Sequence, residues 1–204
     1  MNKWTQIPSD NIIEKTISSL KENGIDAEVV STKEEAKQKA LGLIPEGSEV
    51  LEASSVTLEQ LGLLEEIQKY GKYESVKKKL NSLNRATHHL EMQKLGAAPD
   101  YVIGSVHAIT QDGKILIASN TGSQLAPYVY GASHVIWIIS AKKITANLDE
   151  ALKRIYEHVL PLESERVKIA YGMERSNVSK LLIINKEIKP NRIKIILVKE
   201  DLGY

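Results

Sequence analysis

The segment Ser119–Gln124 is unusually dense in side chains that can both donate and accept hydrogen bonds. Hydroxyl and amide groups of this kind can hold a polar ligand, and Gly122 lets the backbone approach it closely. The alternative is an ordinary turn before a helix. Because large apolar segments flank the loop, we predict that Asn120, Thr121, Gly122 and Ser123 bind a ligand.

A second candidate loop follows the strand predicted for residues 49–53. Ser54, Ser55 and Thr57 precede a helix, where hydroxyls, amide groups and the helix dipole can bind a phosphate or a carboxylate. Plain helix capping is the alternative. Glu52 lies at the end of the strand, and a carboxylate there is costly to bury unless it is paired or used.

The third candidate is His107. In a strand over residues 105–110, Ser105 and His107 point to the same face, which brings an acid–base imidazole beside a hydroxyl. A partly buried, hydrogen-bonded histidine is the alternative. His88 and His89 are adjacent on a predicted helix and cannot form a metal pair on one face, so we expect no metal site.

Composition excludes several classes of function. The 204 residues carry a formal net charge of +1 and contain no cysteine. Iron–sulfur ligation, thiol nucleophiles and cysteine-based zinc sites are therefore absent from this chain. The charge balance provides no field that would attract nucleic acid or an anionic membrane. With no dinucleotide or phosphate-loop fingerprint, we expect no cofactor, and with no apolar leader we expect a cytoplasmic protein.

The pattern of elements predicts the α/β class. Helical and strand segments alternate, which favours a mostly parallel open sheet flanked by helices. Residues 32–35 fit a capping box, and Asp112-Gly113 between two β-prone runs predicts an inserted β-hairpin. We predict one domain over residues 1–204, with an N-terminal helix-and-strand part (1–47) and a core (48–204).

Other segments are less clearly patterned. Over residues 72–83 we predict a loop with a short strand before it, and a solvated helix face at residues 77–79 is the alternative. We predict a helix over residues 84–95. Residues 166–171 and 192–198 alternate in a way that predicts two final strands.

Several stretches resemble, in order and spacing, the LUD (lactate-utilisation) domain family. The resemblance covers roughly residues 48–163 and is carried by segments 54–62, 98–110, 112–114, 119–126, 130–132, 134–137, 142–144 and 148–155. It implies a fold similar to that of sugar-phosphate isomerases and coenzyme A transferases. It also implies a link to bacterial lactate oxidation, where such domains occur with iron–sulfur partner subunits.

The chain departs from the family near its carboxyl end. Many members carry a Gly-x-His-Gly-Pro segment there, but residues 185–190 lack the histidine and most of the glycines. This departure indicates a subgroup distinct from the standard lactate-utilisation subunit.

Two hypotheses follow, and they leave open whether the chain is an enzyme. In the first, the two hydroxyl-rich loops bind a small anionic metabolite, His107 or Glu52 transfers a proton, and Arg85 or Lys143 is the charge partner. In the second, the chain is a non-catalytic subunit that docks onto a redox partner. Neither requires nucleic acid or a membrane, and a homodimer is compatible with both.

Overall fold

Ten strands form two sheets in residues 2–69 and 71–204, the part of the chain that the computed structural model describes. The larger sheet has six parallel strands in the order β1-β10-β7-β4-β2-β3. Its strands are β1 (Asp26–Val30), β2 (Glu49–Glu52), β3 (Glu74–Ser75), β4 (Tyr101–Gly104), β7 (His134–Ser140) and β10 (Ile193–Val198). The smaller sheet has the order β8-β5-β6-β9, with β5 (Ala108–Thr110), β6 (Ile115–Ser119), β8 (Ile144–Thr145) and β9 (Lys180–Ile184).

The centre of the larger sheet is formed by β7 and β10. They pair in register from Ile193↔Val135 to Val198↔Ser140. Their nearly continuous apolar runs suit strands that are covered on both faces. The predicted mostly parallel α/β sheet is confirmed, and the N-terminal part of the chain joins it because β1 pairs with β10.

Helices cover both faces of this sheet. On one face, α1, α5, α6 and the smaller sheet pack around Trp137 and Leu197, and on the other α2, α3 and α4 pack around Ile136 and Ile196. The helices are α1 (Asp10–Glu22), α2 (Lys33–Gly42), α3 (Val56–Gln60), α4 (Leu63–Lys69), α5 (Val76–Ser82), α6 (His89–Ala97), α7 (Leu148–Arg154) and α8 (Leu160–Tyr171). Within the described ranges, none of them has both the length and the apolar character needed to cross a bilayer.

The predicted hairpin is present as β5 and β6, which pair antiparallel through a turn in which Gly113 has a φ of 80°. The structure extends it into a sheet, because β9 pairs antiparallel with β6 and β8 pairs parallel with β5. The other side of this sheet packs against Ala151 and Ile155. The sequence did not predict β9, whose residues are only partly buried and lie in a weakly patterned stretch.

Two predicted elements are wrong, and a third begins later than predicted. Residues 166–171 are the end of α8, in which Val167 is buried while Ile169 is 85% exposed, so their alternation reflects no strand. Residues 76–82 form α5 where a loop was predicted, since the Ser75 hydroxyl caps the helix by accepting from the Lys78 amide. The next helix, α6, begins at His89, five residues after the predicted start.

Candidate functional site

The chain leaves the carboxyl edge of the larger sheet in opposite directions after β2 and β4. After β2 it enters α3, whose Leu58 packs on the same face as Ile103. After β4 it enters β5, whose Ile109 packs on the opposite face with Val102. Divergence of this kind opens a crevice at the strand ends, the usual ligand position in open α/β sheets.

Lys143 lies at this edge, in a short 3₁₀ turn that follows β7, and its side chain is buried. Its Nζ donates to Thr57 Oγ1 at 3.3 Å, to Ser105 Oγ at 3.2 Å and to the Val106 carbonyl at 3.2 Å. Within residues 2–69 and 71–204, no carboxylate forms an ion pair with it. Lys143 is therefore a buried amine surrounded by neutral oxygens.

Four more basic side chains surround Lys143, and together the five are called the cationic cluster: Lys142, Lys143, His107, Arg154 and His158. Arg154 is fully buried and donates to the backbone oxygens of His107 and Tyr204, both at 2.7 Å. Its Nε has no hydrogen-bond partner among the described residues. Lys142 is paired with the exposed carboxylate of Asp201.

Burial and repulsion by neighbouring cations disfavour protonation of Lys143, His107 and His158. The pKa of Lys143 is well below its usual value, because the side chain is desolvated and because Arg154 and Lys142 are close to it. The same effects lower the pKa of His107 to about 3, with burial first and Lys143 and Arg154 next. The pKa of His158 falls to about 4, mainly through burial. An anion placed here would remove this repulsion.

The sequence predicted that His107 lies in a strand, but it lies in the connection between β4 and β5. Its Nδ1 accepts the Ala118 amide at 3.1 Å, which requires an unprotonated Nδ1. The Ser105 hydroxyl contacts Lys143 and not the imidazole. The predicted pair of hydroxyl and imidazole is thus replaced by a pair of hydroxyl and amine.

Glu52 is buried at the end of β2, as its position in the sequence suggested. Its Oε1 accepts from Ser75 Oγ at 2.7 Å, whereas Oε2 has no partner among the described residues. A buried carboxylate oxygen without a donor is costly and unusual in a folded protein. Glu52 therefore keeps one carboxylate oxygen that can accept a further hydrogen bond.

The hydroxyls of the Glu52–Thr57 loop are divided by the fold. Thr57 is buried against Lys143, whereas Ser54 is exposed and its Oγ lies 3.4 Å from Lys77 Nζ. The Ser55 hydroxyl makes no capping bond to α3. The structure therefore brings one of these three predicted residues into the cationic cluster.

The loop Ser119–Gln124 follows β6 and therefore extends from the smaller sheet, not from the larger one. Ser119 Oγ accepts the Gly122 amide at 2.8 Å and donates to Gln124 at 2.9 Å, while Thr121 and Ser123 bond to each other at 3.2 Å. No hydrogen bond between described residues joins this loop to Ser54 or Ser55.

Two further outcomes concern basic residues. Arg85, a predicted charge partner, is exposed in the turn before α6 and makes no ion pair within the described ranges. Arg154 and Lys142 were not predicted as site residues. The position of Arg154 on α7 is typical of a solvated helix face, and Lys142 had no signal beyond its proximity to Lys143.

The chain is similar to known proteins over nearly its whole length. The model of the family described as LUD domain matches residues 13–198. A DUF162 family protein from Deinococcus radiodurans is similar, with a TM-score of 0.58 and 12% identity over 94% of this chain and 99% of that chain. This similarity concerns the fold alone. The structure of eIF2B beta from Chaetomium thermophilum aligns with a TM-score of 0.37 and 19% identity, over 58% of this chain and 41% of that chain, and supports no inference. No curated protein sequence matches the chain.

Proposed function

This chain belongs to the LUD domain family, and we propose that its cationic cluster binds a small anionic metabolite, a carboxylate or a phosphate. The observation that carries the proposal is Lys143, a buried amine that contacts three neutral oxygens and no carboxylate of the described residues. Burial of an unpaired basic group is costly unless another molecule supplies the missing charge.

Arg154 supports the same proposal independently. Its guanidinium is fully buried, two of its nitrogens donate to backbone oxygens, and its Nε–H lacks an acceptor among the described residues. Guanidinium groups match carboxylate and phosphate oxygens in geometry as well as in charge. A ligand oxygen would satisfy this donor and offset the positive charge of both side chains.

Anion binding at Lys143 should be accompanied by a measurable uptake of protons. An anion next to Lys143 favours the ammonium form, which reverses the lowering of its pKa by burial and by Arg154. The complex would therefore take up protons wherever the amine of the free protein is unprotonated. An anion bound at an exposed lysine would take up none, because such a lysine is already protonated.

Isothermal titration calorimetry in two buffers of different ionisation enthalpy measures affinity and proton uptake together. The panel contains lactate, pyruvate, inorganic phosphate, sugar phosphates and acyl-coenzyme A, with lactate first because of the family's link to lactate oxidation. We expect at least one compound to bind with uptake of up to about one proton. At 100 times its dissociation constant, it should stabilise the fold by about 2.7 kcal/mol.

Lys143→Met is the decisive variant, and Lys180→Met is its matched control. Lys180 packs against Gly122, so the control removes a lysine beside the polar loop and leaves the cationic cluster intact. We expect Lys143→Met to lose binding and Lys180→Met to retain it. Binding that survives in Lys143→Met, or a panel in which nothing binds, would contradict the proposal.

If the ligand also reacts, Glu52 is the stronger proton-transfer candidate of the two predicted residues. Its Oε2 is buried and lacks a partner among the described residues, whereas His107 already uses Nδ1 to accept the Ala118 amide. Glu52→Gln should then abolish turnover while ligand affinity changes little. Turnover that is unchanged in the Glu52→Gln variant would exclude this role.

A second candidate function is a non-catalytic subunit that docks onto an iron–sulfur redox partner. Two observations favour it: the chain has no cysteine, and α8 exposes Leu162 (39%), Ile169 (85%) and Tyr171 (64%). Co-purification with the neighbouring gene products tests it. Ile169→Asp should disrupt the complex, whereas Ile188→Asp, at a 95% exposed position outside α8, should not. A monomer with unchanged behaviour in both variants would count against docking through α8.

A further inference from the structure

The chain after β10 runs across the carboxyl edge of the larger sheet and over the cationic cluster. The Lys199 amide donates to the Val30 carbonyl at 3.1 Å, which places the start of this segment beside the end of β1. The Ser140 hydroxyl donates to the Glu200 carbonyl, which places the next residue beside the end of β7. Residues 201–204, called the covering segment, then reach the cluster.

Oxygen atoms of the covering segment accept hydrogen bonds from the same cations that an anionic ligand would contact. Lys142 Nζ donates to the Asp201 carboxylate and, at 2.7 Å, to the Gly203 carbonyl. Arg154 Nη2 donates to the backbone oxygen of Tyr204 at 2.7 Å. The Asp201 carboxylate and two backbone oxygens thus partly satisfy the cluster, and the covering segment supplies all three.

Gly203 lies directly over Lys143 and its partner Thr57. Its φ is +65°, and a Cβ at this position would lie 2.3 Å from Thr57 Oγ1 and 3.1 Å from Lys143 Nζ. Only a residue without a side chain fits there without strain. The segment therefore closes the approach to Lys143 through contact with its backbone.

Besides its bonds to Lys142 and Arg154, the covering segment is held by one apolar side chain and one backbone hydrogen bond. Leu202 is its buried apolar anchor, and the Gly203 amide donates to Gln60 Oε1 at 2.7 Å. The Asp201 side chain is 61% exposed, so water weakens its ion pair with Lys142. The segment has no helix or strand hydrogen bonds. Segments with few buried contacts open at low free-energy cost.

We propose that residues 201–204 are a displaceable cover, which an anionic ligand replaces at the cationic cluster. Ligand oxygens take over the donors of Lys142 and Arg154, and the cover swings away from Lys143. Because both states compete for the same donors, loosening the cover must strengthen anion binding by the same factor that anion binding loosens the cover. This inference rests on the proposed function.

Gly203→Ala tests the cover without altering any side chain of the cluster. The added methyl group overlaps Thr57 and is strained at positive φ, so it should displace the segment. Gly172→Ala is the matched control, since Gly172 has nearly the same φ (+66°) but nothing within 4 Å of the added methyl. Both variants carry the strain of a left-handed residue, and only the first carries the overlap.

The readout is acetylation of Lys143 by an amine-specific reagent, located by peptide mass spectrometry. We expect labelling in Gly203→Ala to be faster by roughly tenfold or more, with Gly172→Ala close to the wild type. Gln60→Ala, which removes only the acceptor of the Gly203 amide, should give a smaller increase and serves if Gly203→Ala does not fold. Equal labelling in the wild type and in the folded variants would overturn the proposal that residues 201–204 cover Lys143.

The second readout is affinity for inorganic phosphate and for the carboxylates of the panel. Gly203→Ala should bind them more tightly than the wild type and Gly172→Ala, and ligand should speed hydrogen exchange of the Gly203 amide in the wild type. If Gly203→Ala is labelled faster but binds anions no more tightly, the proposal that a ligand displaces the cover is overturned, while the proposed function stands. If no variant binds any anion, both the proposed function and the displacement of the cover by a ligand are overturned. The labelling ratio then still decides whether residues 201–204 cover Lys143.

Discussion

The cationic cluster and the loop Ser119–Gln124 are both rich in polar groups, but their hydrogen bonding differs. The loop satisfies itself, because Ser119 binds Gly122 and Gln124 while Thr121 pairs with Ser123. In the cluster, Arg154 keeps a donor without an acceptor, and Lys143 has no carboxylate partner among the described residues. This difference is the reason that we propose the ligand site at the cationic cluster, where charge is left uncompensated after folding, and not at the loop.

The largest effect is expected for Lys143→Met, which removes the buried amine from the cluster. Anion affinity should fall by about 3 kcal/mol, roughly a hundredfold, because a charged hydrogen bond is lost. In the unfolded chain Lys143 is protonated below pH 10.5, whereas burial and the neighbouring cations disfavour its protonation in the folded protein. Below pH 10.5 the residue therefore lowers the free energy of unfolding. The free energy of unfolding should therefore rise on the order of 1 kcal/mol in urea melts at pH 7. A Lys143→Met variant that is less stable than the wild type and binds the anion with normal affinity would contradict our assignment of the ligand to the cationic cluster.

Acid should destabilise the protein through the cluster. The folded pKa of His107, about 3, lies below its unfolded value of 6.5, because of burial and then Lys143 and Arg154. His107 thus contributes full stability above pH 6.5 and loses it as the pH falls towards 3, by at most about 1.4 kcal/mol for each pH unit. His158 adds to this loss between pH 6.5 and about 4.

Urea melts at several pH values between 7 and 4 measure this dependence. His107→Asn keeps an acceptor near the Ala118 amide and should give a shallower slope. His88→Asn, in the exposed turn before α6, serves as the control and should leave the slope unchanged. An identical slope in His107→Asn would show that the imidazole is not held neutral by its neighbours.

Thr57→Val should have an intermediate effect. It preserves the shape of a buried side chain but removes the hydroxyl that lies 3.3 Å from Lys143 Nζ. Loss of one hydrogen bond should weaken anion binding by about 1 kcal/mol, roughly fivefold. Titration calorimetry measures this, with Thr87→Val, in an exposed turn, as the control. Unchanged affinity would remove Thr57 from the site.

The smallest effect is expected in the polar loop. Thr121→Ala breaks the exposed bond to Ser123 and should change stability by about 0.5 kcal/mol or less. Anion affinity should stay within about twofold of the wild type, since the loop lies outside the cluster. A tenfold loss of affinity would restore Ser119–Gln124 as the binding loop.

Prediction from the sequence succeeded where the signal is local. The capping box formed by Thr32 and Glu35 and the hairpin turn at Gly113 are both present. It failed for residues 166–171, where alternation suggested a strand in the exposed end of a helix. It also missed Arg154, because a basic residue on a helix usually points to solvent.

The amino-acid sequence by itself determined the class of the fold, through the alternation of strands and helices and through the turn residues between them. It also placed Glu52, Thr57 and Lys143 among the candidates. Only the tertiary structure decided which charges lost their counterions. Lys143 meets Thr57 across 86 residues and Ser105 across 38, and Arg154 meets Tyr204 across 50. Such contacts depend on how the strand ends and the covering segment pack, and no local pattern in the chain encodes them.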